Sequence, residues 1–501
     1  MAPLEVTAAQ RQLADAVERW PDDFFRRKSF PAFEAAAAEA ARFLRAPAGS
    51  VVFVENATTG VNAVLASLDL KRGDAVLMND NSYNACKNAA RHVCARAGAA
   101  VLYQDLPFPE ALARGDDGVV ADFAAFLDAN ATAHAADPAR TPRIRFALVD
   151  HITSPTAVVL PVARLAAACR ARGVLVMVDG AHAPGQIEVD LTALGEAGVD
   201  WYVGNLHKWC FAPKGVAVLF AAARHQGAEA FAGGGTQAAV VSHFFQKSFA
   251  KRFWMQGTND QSRLLATGAA LRFCEARLGG FGAVRAYNAA LASAGAQLLC
   301  AAWGTRRMYD PALSAPFLAV VETPLDWRRW VRVAGPGDAP GAAPTADATR
   351  LSPAAALAAL DADEGFNERV SEAVLFNYGI NGVFFTWTVG GEKRRGFISR
   401  ARKGGSGRTS ERGIEQASKA RANANTPLTA ARTLPLFLSP SPSRAVFTRV
   451  SAQVYNVLED YAALALAVLD LARGEAAAAA ADKAADAARA AADKAAKGAS
   501  S

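Results

Sequence analysis

A lysine stands at the end of a predicted buried strand, in the segment "GNLHKW" at residues 204–209. Apolar segments flank it, "VDWYV" upstream and "CFAPKGVAVLF" downstream. An ammonium group in such a position loses hydration and is costly to bury unless a partner compensates it. The sequence therefore predicts a specific partner for Lys208.

Other polar residues follow neighbouring predicted strands. The strand "VLVMV" is followed by Asp179, and the next strand is followed by Asn205, His207 and Lys208. Ligands of open α/β sheets bind at the carboxyl ends of the strands. We therefore expect an acid, a histidine and a lysine to meet at one edge of the sheet.

Further residues at predicted strand ends indicate a cofactor. Thr58 and Thr59 open a helix whose N–H groups suit a phosphate, and Tyr83 and Ser154 each lie just past a strand. Pyridoxal 5′-phosphate needs a lysine for a covalent bond, an acid for its pyridine nitrogen, a phosphate cradle and a planar group beside its ring. The sequence predicts this cofactor, bound covalently by Lys208.

The elements that position these residues alternate along the chain. Between residues 50 and 220, short apolar β-rich runs are separated by helical stretches. Unbroken apolar strands alternating with helices favour a mostly parallel sheet covered on both faces. A helical run after Trp254, then mixed strand and helix to Leu471, predicts a second, smaller domain.

Six motifs in order resemble the class V aminotransferase family of fold type I pyridoxal-phosphate enzymes: "NATTGVNAVL", "HITSPT", "VDGAHAPGQ", "NLHKWCFAPKG", "WMQGTND" and "RVSAQVYN". They resemble in particular the branch of isopenicillin N epimerase-like proteins and plant-type cysteine desulfhydrases. The resemblance implies an α/β fold: a cofactor-binding large domain at 1–265, with a mostly parallel seven-stranded sheet flanked by helices. It also implies a smaller C-terminal α+β domain at 266–389 and 445–474.

The resemblance implies roles around the cofactor ring. Lys208 would hold the cofactor and move the Cα proton, and Asp179 would pair with the pyridine nitrogen. His182, with Ser154 nearby, would face the ring hydroxyl, and Tyr83 would stack on the ring. Other structural roles stay open at this point, such as a helix cap for Asp179 or a core position for Tyr83.

The resemblance also implies contacts away from the ring. Thr258 would reach the neighbouring subunit's site in a homodimer, and Arg449 would bind the substrate carboxylate through its planar fork. The alternatives are a plain turn residue and a surface ion pair. Four polar residues would hold the phosphate, or only support the local structure: Thr58, Thr59, Asn205 and His207.

The motifs leave three reactions of a small amino-acid substrate open, because the fate of the Cα electron pair decides the product. Reprotonation gives an epimerase, protonation at the cofactor gives an aminotransferase, and loss of a β-sulfur gives a lyase. No cysteine follows Cys300, which disfavours a desulfurase with a persulfide-forming thiol in the small domain. The resemblance favours a cysteine desulfhydrase-like lyase that releases sulfide, pyruvate and ammonia.

The chain also departs from the family pattern. Residues 390–444 form a basic low-complexity insertion, which we interpret as a translated intron, and 475–501 form an Ala-rich tail. Relatives begin with a glycine-rich segment that this chain lacks before "PLEVTAAQ", which implies a truncated start or compromised substrate binding.

Charge and composition bound the partners. Eleven Lys or Arg and two acids lie between Lys393 and Arg432, so this segment carries a charge of +9. The net charge of the whole chain is +7, so the rest of the chain sums to −2. We therefore expect no specific nucleic-acid partner, with a non-catalytic binding protein on this scaffold as the distant alternative. Six scattered cysteines predict neither disulfides nor a zinc site. Without a long apolar run, we expect no membrane span and a cytoplasmic protein, organellar targeting staying open.

Overall fold

The structure is a computed structural model that describes residues 2–106, 110–227, 235–325, 332–333, 346–347, 383–388, 444–454 and 456–476. The chain divides into two units. The first comprises Met1–Ala290 and Pro311–Leu318, and the second comprises Leu291–Asp310 and Ala319–Ser501. The predicted domain division at residue 265 stays a prediction.

Two predicted segments fall almost wholly outside the described residues. Of the insertion at 390–444, only Arg444 is described. Of the Ala-rich tail at 475–501, only the first two residues are described, and they end a helical stretch over 458–476. Both segments therefore stay predictions.

A seven-stranded sheet lies in the first unit. Its order is β1-β7-β6-β5-β4-β2-β3. Only β7 runs antiparallel to its neighbours in this sheet, and the other pairs of strands are parallel. This confirms the predicted α/β fold with a mostly parallel seven-stranded sheet. The strands are β1 (Val51–Val54), β2 (Asp74–Asn79), β3 (Ala100–Gln104), β4 (Arg143–Asp150), β5 (Leu175–Asp179), β6 (Trp201–Asn205) and β7 (Ala217–Ala221).

The buried strands are mostly apolar on both faces, in the centre of the sheet and at its β1 edge. Every residue of β1, β6 and β7 is buried. This pattern is typical of strands that are covered by helices on both sides. Helix α4 (Ala57–Ser67) contacts β6 and β7, and α7 (Val162–Arg170) contacts β4 and β5.

The remaining helices lie between or beyond the strands along the chain. A π-helical turn spans Phe24–Lys28, and α13 continues into the second unit. The helices besides α4 and α7 are α1 (Leu4–Arg19), α2 (Pro21–Asp23), α3 (Ser29–Phe43), α5 (Asn84–Ala97), α6 (Gly115–Ala136), α8 (Leu191–Ala197), α9 (Leu206–Trp209), α10 (Phe249–Trp254), α11 (Ser262–Leu265), α12 (Thr267–Leu278) and α13 (Gly280–Trp303). Several of them pack on other helices, such as α1 on α11 and α12.

The second unit contains a small sheet and its own apolar core. Three strands pair in the order β11-β12-β8, and β9 pairs with β10. The core includes Trp303, Val446 and Tyr461, and the Trp303 indole donates a hydrogen bond to the carbonyl of Ala465 at 3.1 Å. The strands are β8 (Leu318–Glu322), β9 (Arg332–Val333), β10 (Ala346–Asp347), β11 (Val383–Thr388) and β12 (Arg444–Ser451).

Within the described ranges, no helix combines the length and the apolar character that crossing a membrane requires. All six cysteines are free thiols, and five of them are buried. No group of histidine, cysteine or acidic residues in the described part of the chain has the arrangement of a metal site.

Candidate active site

Asp179 is the last residue of β5, and its carboxylate is held in a fixed orientation. One oxygen, Oδ1, accepts a hydrogen bond from the backbone N–H of Ala181 at 3.0 Å. The other, Oδ2, accepts from the Cys86 thiol at 3.3 Å. Asp179 is 5% exposed, and no cationic side chain of the described residues forms an ion pair with it. A buried carboxylate in this state is suited to a cationic ligand.

Lys208 lies on the short helix α9, which begins directly after β6. Its Nζ is 2.9 Å from Nε2 of His182, so the ammonium form donates to an unprotonated imidazole nitrogen. His182 is buried, and its ring lies 6.3 Å from that of Trp209, between centroids. Lys208 therefore contacts His182, another of the predicted site residues, and its predicted covalent bond to the cofactor stays a prediction.

The N-terminus of α4 is organised by two asparagines. Asn56 caps the helix, its Oδ1 accepting from the Thr59 N–H at 2.9 Å, and Asn205 Oδ1 accepts from the Ala57 N–H at 2.9 Å. Among the described residues, the Thr58 N–H at this terminus has no hydrogen-bond acceptor. The predicted phosphate cradle therefore has fewer N–H donors to offer than an uncapped helix terminus, because Asn56 and Asn205 already accept hydrogen bonds from two of them.

The other predicted site residues take different positions. His207 Nδ1 lies 2.7 Å from the carbonyl oxygen of Val216, which fixes the ring beside the start of β7. Tyr83 precedes α5 and Ser154 follows β4, and both are half-buried. Thr258 is exposed in the first unit.

Arg449 belongs to the second unit. It is half-buried in β12, where its Cα is in register with that of Val383 on β11. The roles predicted for the site residues stay predictions, and the geometry of the first unit brings Asp179, His182 and Lys208 to the carboxyl edge of the sheet.

Behind Asp179 lies a layer of side chains that is not among the residues predicted from the sequence. Asp150 ends β4 beside Asp179, and its Oδ2 accepts a hydrogen bond from the Ser82 hydroxyl at 2.7 Å. Burial, and then the charge of Asp179, raises the pKa of the Cys86 thiol well above its usual value. Asp150 could have been identified from the sequence, because it follows an apolar strand as Asp179 does. The hydrogen bonds from Cys86 to Asp179 and from Ser82 to Asp150 could not, because they depend on tertiary packing.

The His151 side chain belongs to the same layer. Its Nδ1 lies 3.0 Å from the hydroxyl of Tyr202, and burial lowers the pKa of the imidazole to about 4. The ring is therefore neutral at physiological pH. Burial and the charge of Asp179 raise the pKa of the Tyr202 phenol well above its usual range.

A comparison with protein families identifies the family of this chain. The family described as Aminotransferase class-V matches residues 22–107 and 117–323. The chain belongs to the class V aminotransferase family, which confirms the family predicted from the six motifs.

Curated relatives match part of the chain. A putative L-cysteine desulfhydrase 1 from Oryza sativa subsp. japonica is 35% identical over 62% of this chain and 64% of its own length. An isopenicillin N epimerase from Amycolatopsis lactamdurans is 35% identical over 40% of this chain and 46% of its own length. The chain therefore matches less than two thirds of the length of these relatives.

Solved structures share the fold. A cysteine desulfurase from Thermococcus onnurineus has a TM-score of 0.55 and 14% identity, covering 95% of this chain and 92% of that chain. A C-DES mutant with glycine linked to its PLP cofactor has a TM-score of 0.50 and 20% identity, covering 64% of this chain and 80% of that chain. At these identities, the likeness concerns the fold.

The residues present fit pyridoxal 5′-phosphate. Asp179 offers a buried carboxylate without a cationic partner in the described chain, and Lys208 offers an amine held by His182. The Thr58 N–H at the start of α4 offers a donor for an anion. These are the three groups that the pyridine nitrogen, the aldehyde and the phosphate of the cofactor require.

Proposed function

We propose that the protein binds pyridoxal 5′-phosphate through Lys208 and acts at the α-carbon of an amino acid as a cysteine desulfhydrase-like C–S lyase. L-cysteine and water would give sulfide, pyruvate and ammonia. The observation that carries the proposal is the buried Asp179 carboxylate, unpaired with any cation of the described residues, at the same sheet edge as the Lys208–His182 pair.

The residues around the ring divide the work. When bound, the cofactor supplies an electron sink for the pair of electrons left at Cα when its proton departs. Asp179 holds a proton on the pyridine nitrogen, because its carboxylate is fixed by Ala181 and Cys86 and is buried. His182, whose Nε2 lies 2.9 Å from the Lys208 amine, would face the ring hydroxyl.

Lys208 moves protons at the substrate. With its amine free, Lys208 would serve as the base that takes the proton from the Cα–H of the substrate. The His182 Nε2 accepts a hydrogen bond from the ammonium and so limits the positions Lys208 can take. Such an orientation is what proton transfer requires, because the donor and acceptor must lie within hydrogen-bond reach.

The phosphate and the substrate carboxylate take residues farther from the ring. Thr58, with Thr59 behind the Asn56 cap, holds the phosphate at the start of α4. Arg449 binds the substrate carboxylate with two parallel hydrogen bonds. The protein acts as a homodimer in which Thr258 contributes to the neighbouring subunit's site.

A second reaction is supported by a separate finding. The isopenicillin N epimerase relative is 35% identical over 40% of the chain, and reprotonation at Cα needs the same kind of base as proton removal. Aminotransfer is the third reaction that these residues serve. Which of the three reactions takes place depends on the contacts that the protein makes with the substrate.

The test combines a spectrum with a product assay. Wild-type protein is incubated with pyridoxal 5′-phosphate, and its visible absorption is recorded before and after L-cysteine is added, while sulfide and pyruvate are measured. We expect a visible band and equal amounts of both products. Lys208→Ala should lose the band and the products, whereas Lys214→Ala, an exposed lysine of the following loop, should keep both.

The outcomes separate the alternatives. A visible band with no sulfide, but with racemised amino acid, would replace the lyase with an epimerase. A band with a keto acid formed in amounts equal to the consumed cofactor would replace it with an aminotransferase. Absence of a Lys208-dependent band contradicts the cofactor assignment itself.

A further inference from the structure

Two carboxyl groups lie side by side behind the proposed cofactor ring. Asp150 and Asp179 end the adjacent parallel strands β4 and β5, and their Cα atoms are in register. Neighbouring strands lie about 4.8 Å apart, and residues in register point to the same face of the sheet. Both residues are buried, at 3% and 5% exposure. Two adjacent buried carboxylates repel each other strongly when both are ionised.

The hydrogen bonds distinguish the two carboxyl groups. Asp179 accepts from the Ala181 N–H at Oδ1 and from the Cys86 thiol at Oδ2, so both oxygens act as acceptors, as in an ionised group. Asp150 has one such contact from another residue, from the Ser82 hydroxyl to Oδ2 at 2.7 Å, and its own backbone N–H also favours the ionised form. The geometry therefore places the negative charge of the pair on Asp179 and leaves room for a proton on Asp150.

The surroundings of Asp150 agree with this distribution. Burial and the charge of Asp179 raise the pKa of the Asp150 carboxyl to about 7, while Ser82 and the Lys87 ammonium act in the opposite direction. Helix α5 brings Cys86 and Lys87 to the pair, and β6 brings Tyr202. The thiol and the phenol are neutral because burial raises the pKa of each.

The imidazole of His151 adds no charge, since burial lowers its pKa to about 4. The charges that act on Asp150 are therefore those of Asp179 and Lys87. Asp80, which follows β2, is a second carboxyl whose pKa burial raises to about 7, and its charge acts on Lys87. Because Asp80 is present in wild type and in Asp150→Asn alike, the difference between their titrations reports on Asp150.

We propose that Asp150 is a positioning residue that stores a proton beside Asp179 and thereby sets how strongly Asp179 holds the proton of the cofactor's pyridine nitrogen. With its proton, Asp150 leaves a single negative charge opposite the ring. After releasing the proton to solvent, it adds a second negative charge behind the first, which favours the protonated pyridine. This inference rests on the proposed function.

The first experiment uses the protein without cofactor. Because the folded protein retains a proton that unfolded Asp150, with a usual pKa of 3.8, releases, this group lowers stability as the pH rises from about 4 to about 7. Asp150→Asn cannot titrate. The ratio of its folding equilibrium constant to that of wild type should therefore rise by up to about tenfold per pH unit in this window and stay level above it.

Two variants control this measurement. Asp116→Asn removes an exposed carboxyl of α6 and should give a ratio that is flat with pH. Ser82→Ala removes the hydroxyl that favours ionised Asp150, so it should move the midpoint of the pH effect upward, and it tests the proposal if Asp150→Asn fails to fold. A flat ratio for Asp150→Asn, or an unmoved midpoint for Ser82→Ala, would overturn the proposal.

The second experiment reads the cofactor. Wild type and Asp150→Asn are loaded with pyridoxal 5′-phosphate, and the visible absorption is followed from pH 5 to pH 9. We expect a spectral change in wild type around neutral pH that the variant lacks. Identical titrations overturn the link to the cofactor. A protein with no Lys208-dependent band instead contradicts the proposed function, and the stability ratio then still reports on the carboxyl pair.

Discussion

The side-chain oxygen of Asn205 accepts a hydrogen bond from the backbone N–H of Ala57 at 2.9 Å. This bond joins the carboxyl end of β6 to the first residue of α4, across a sequence separation of 148 residues. The two ends that it joins carry Lys208 and Thr58, the residues proposed to hold the aldehyde and the phosphate of one cofactor. Together with the packing of α4 on β6, this buried amide helps to fix the distance between those two anchoring points.

Asn205→Ala should weaken both folding and cofactor binding. The buried Ala57 N–H would lose its acceptor, which costs about 1–3 kcal/mol of unfolding free energy. Urea unfolding of the protein without cofactor measures that loss. Asn205→Asp keeps an acceptor oxygen but adds a charge near the phosphate. It should therefore retain more stability than Asn205→Ala while binding pyridoxal 5′-phosphate more weakly than wild type. Equal stability of wild type and Asn205→Ala would contradict the structural role.

His182→Ala should reduce turnover of L-cysteine by about 10²–10⁴-fold, because Lys208 would lose the group that orients its amine for proton transfer. The covalent attachment of the cofactor needs only the amine, so the visible band should persist. His182→Gln, which restores a hydrogen-bonding side chain of similar reach, should recover part of the rate. A rate unchanged in His182→Ala would remove this residue from the proposed mechanism.

Gly180→Ala should destabilise the turn after β5. A Cβ at this position would lie 2.1 Å from the Tyr202 ring, which is buried in β6 and cannot move aside without disturbing the sheet. We expect a loss of about 1–3 kcal/mol of unfolding free energy together with weaker cofactor binding, because the turn carries Asp179 and His182. Gly282→Ala, where a Cβ meets nothing within 4 Å and φ is not positive, is the control without a steric clash and should not lower the unfolding free energy.

The edge of the sheet that carries the site could be predicted from the sequence. Asp179, Asn205 and Lys208 each follow an unbroken apolar run, and carboxyl ends of parallel strands meet at one edge. The specific contacts could not be predicted. Asn205 caps α4 through Ala57, and no local pattern encodes a bond between positions so far apart. Likewise, the pair of Asp179 with Cys86 depends on how α5 packs on the sheet.

The partition into domains is harder to read from a sequence. Helix α13 runs without a break from Gly280 to Trp303, while the boundary between the two units falls within it, at Ala290. A continuous helix carries no composition change or turn signal at such a point. The pairing of β12 with β11 also joins segments separated by a long basic stretch, which periodicity alone cannot register.

Cys86 should resist alkylation in the folded protein. Its thiol is 2% exposed, and burial together with Asp179 raises its pKa, so little thiolate forms and reagents cannot reach it. Cys300 is the half-buried thiol among the six and should react first with iodoacetamide at pH 8, as peptide mass spectrometry can show.

Cys86→Ser replaces the weak donor to Asp179 with a stronger one and should retain the fold. Because a stronger hydrogen bond stabilises the carboxylate and weakens its hold on the pyridine proton, the visible band of the loaded variant should titrate at lower pH than in wild type. Cys94→Ser, at a buried thiol on the same helix that does not contact Asp179, should leave that titration unchanged, and a shift of equal size in both variants would refute the contact as its cause.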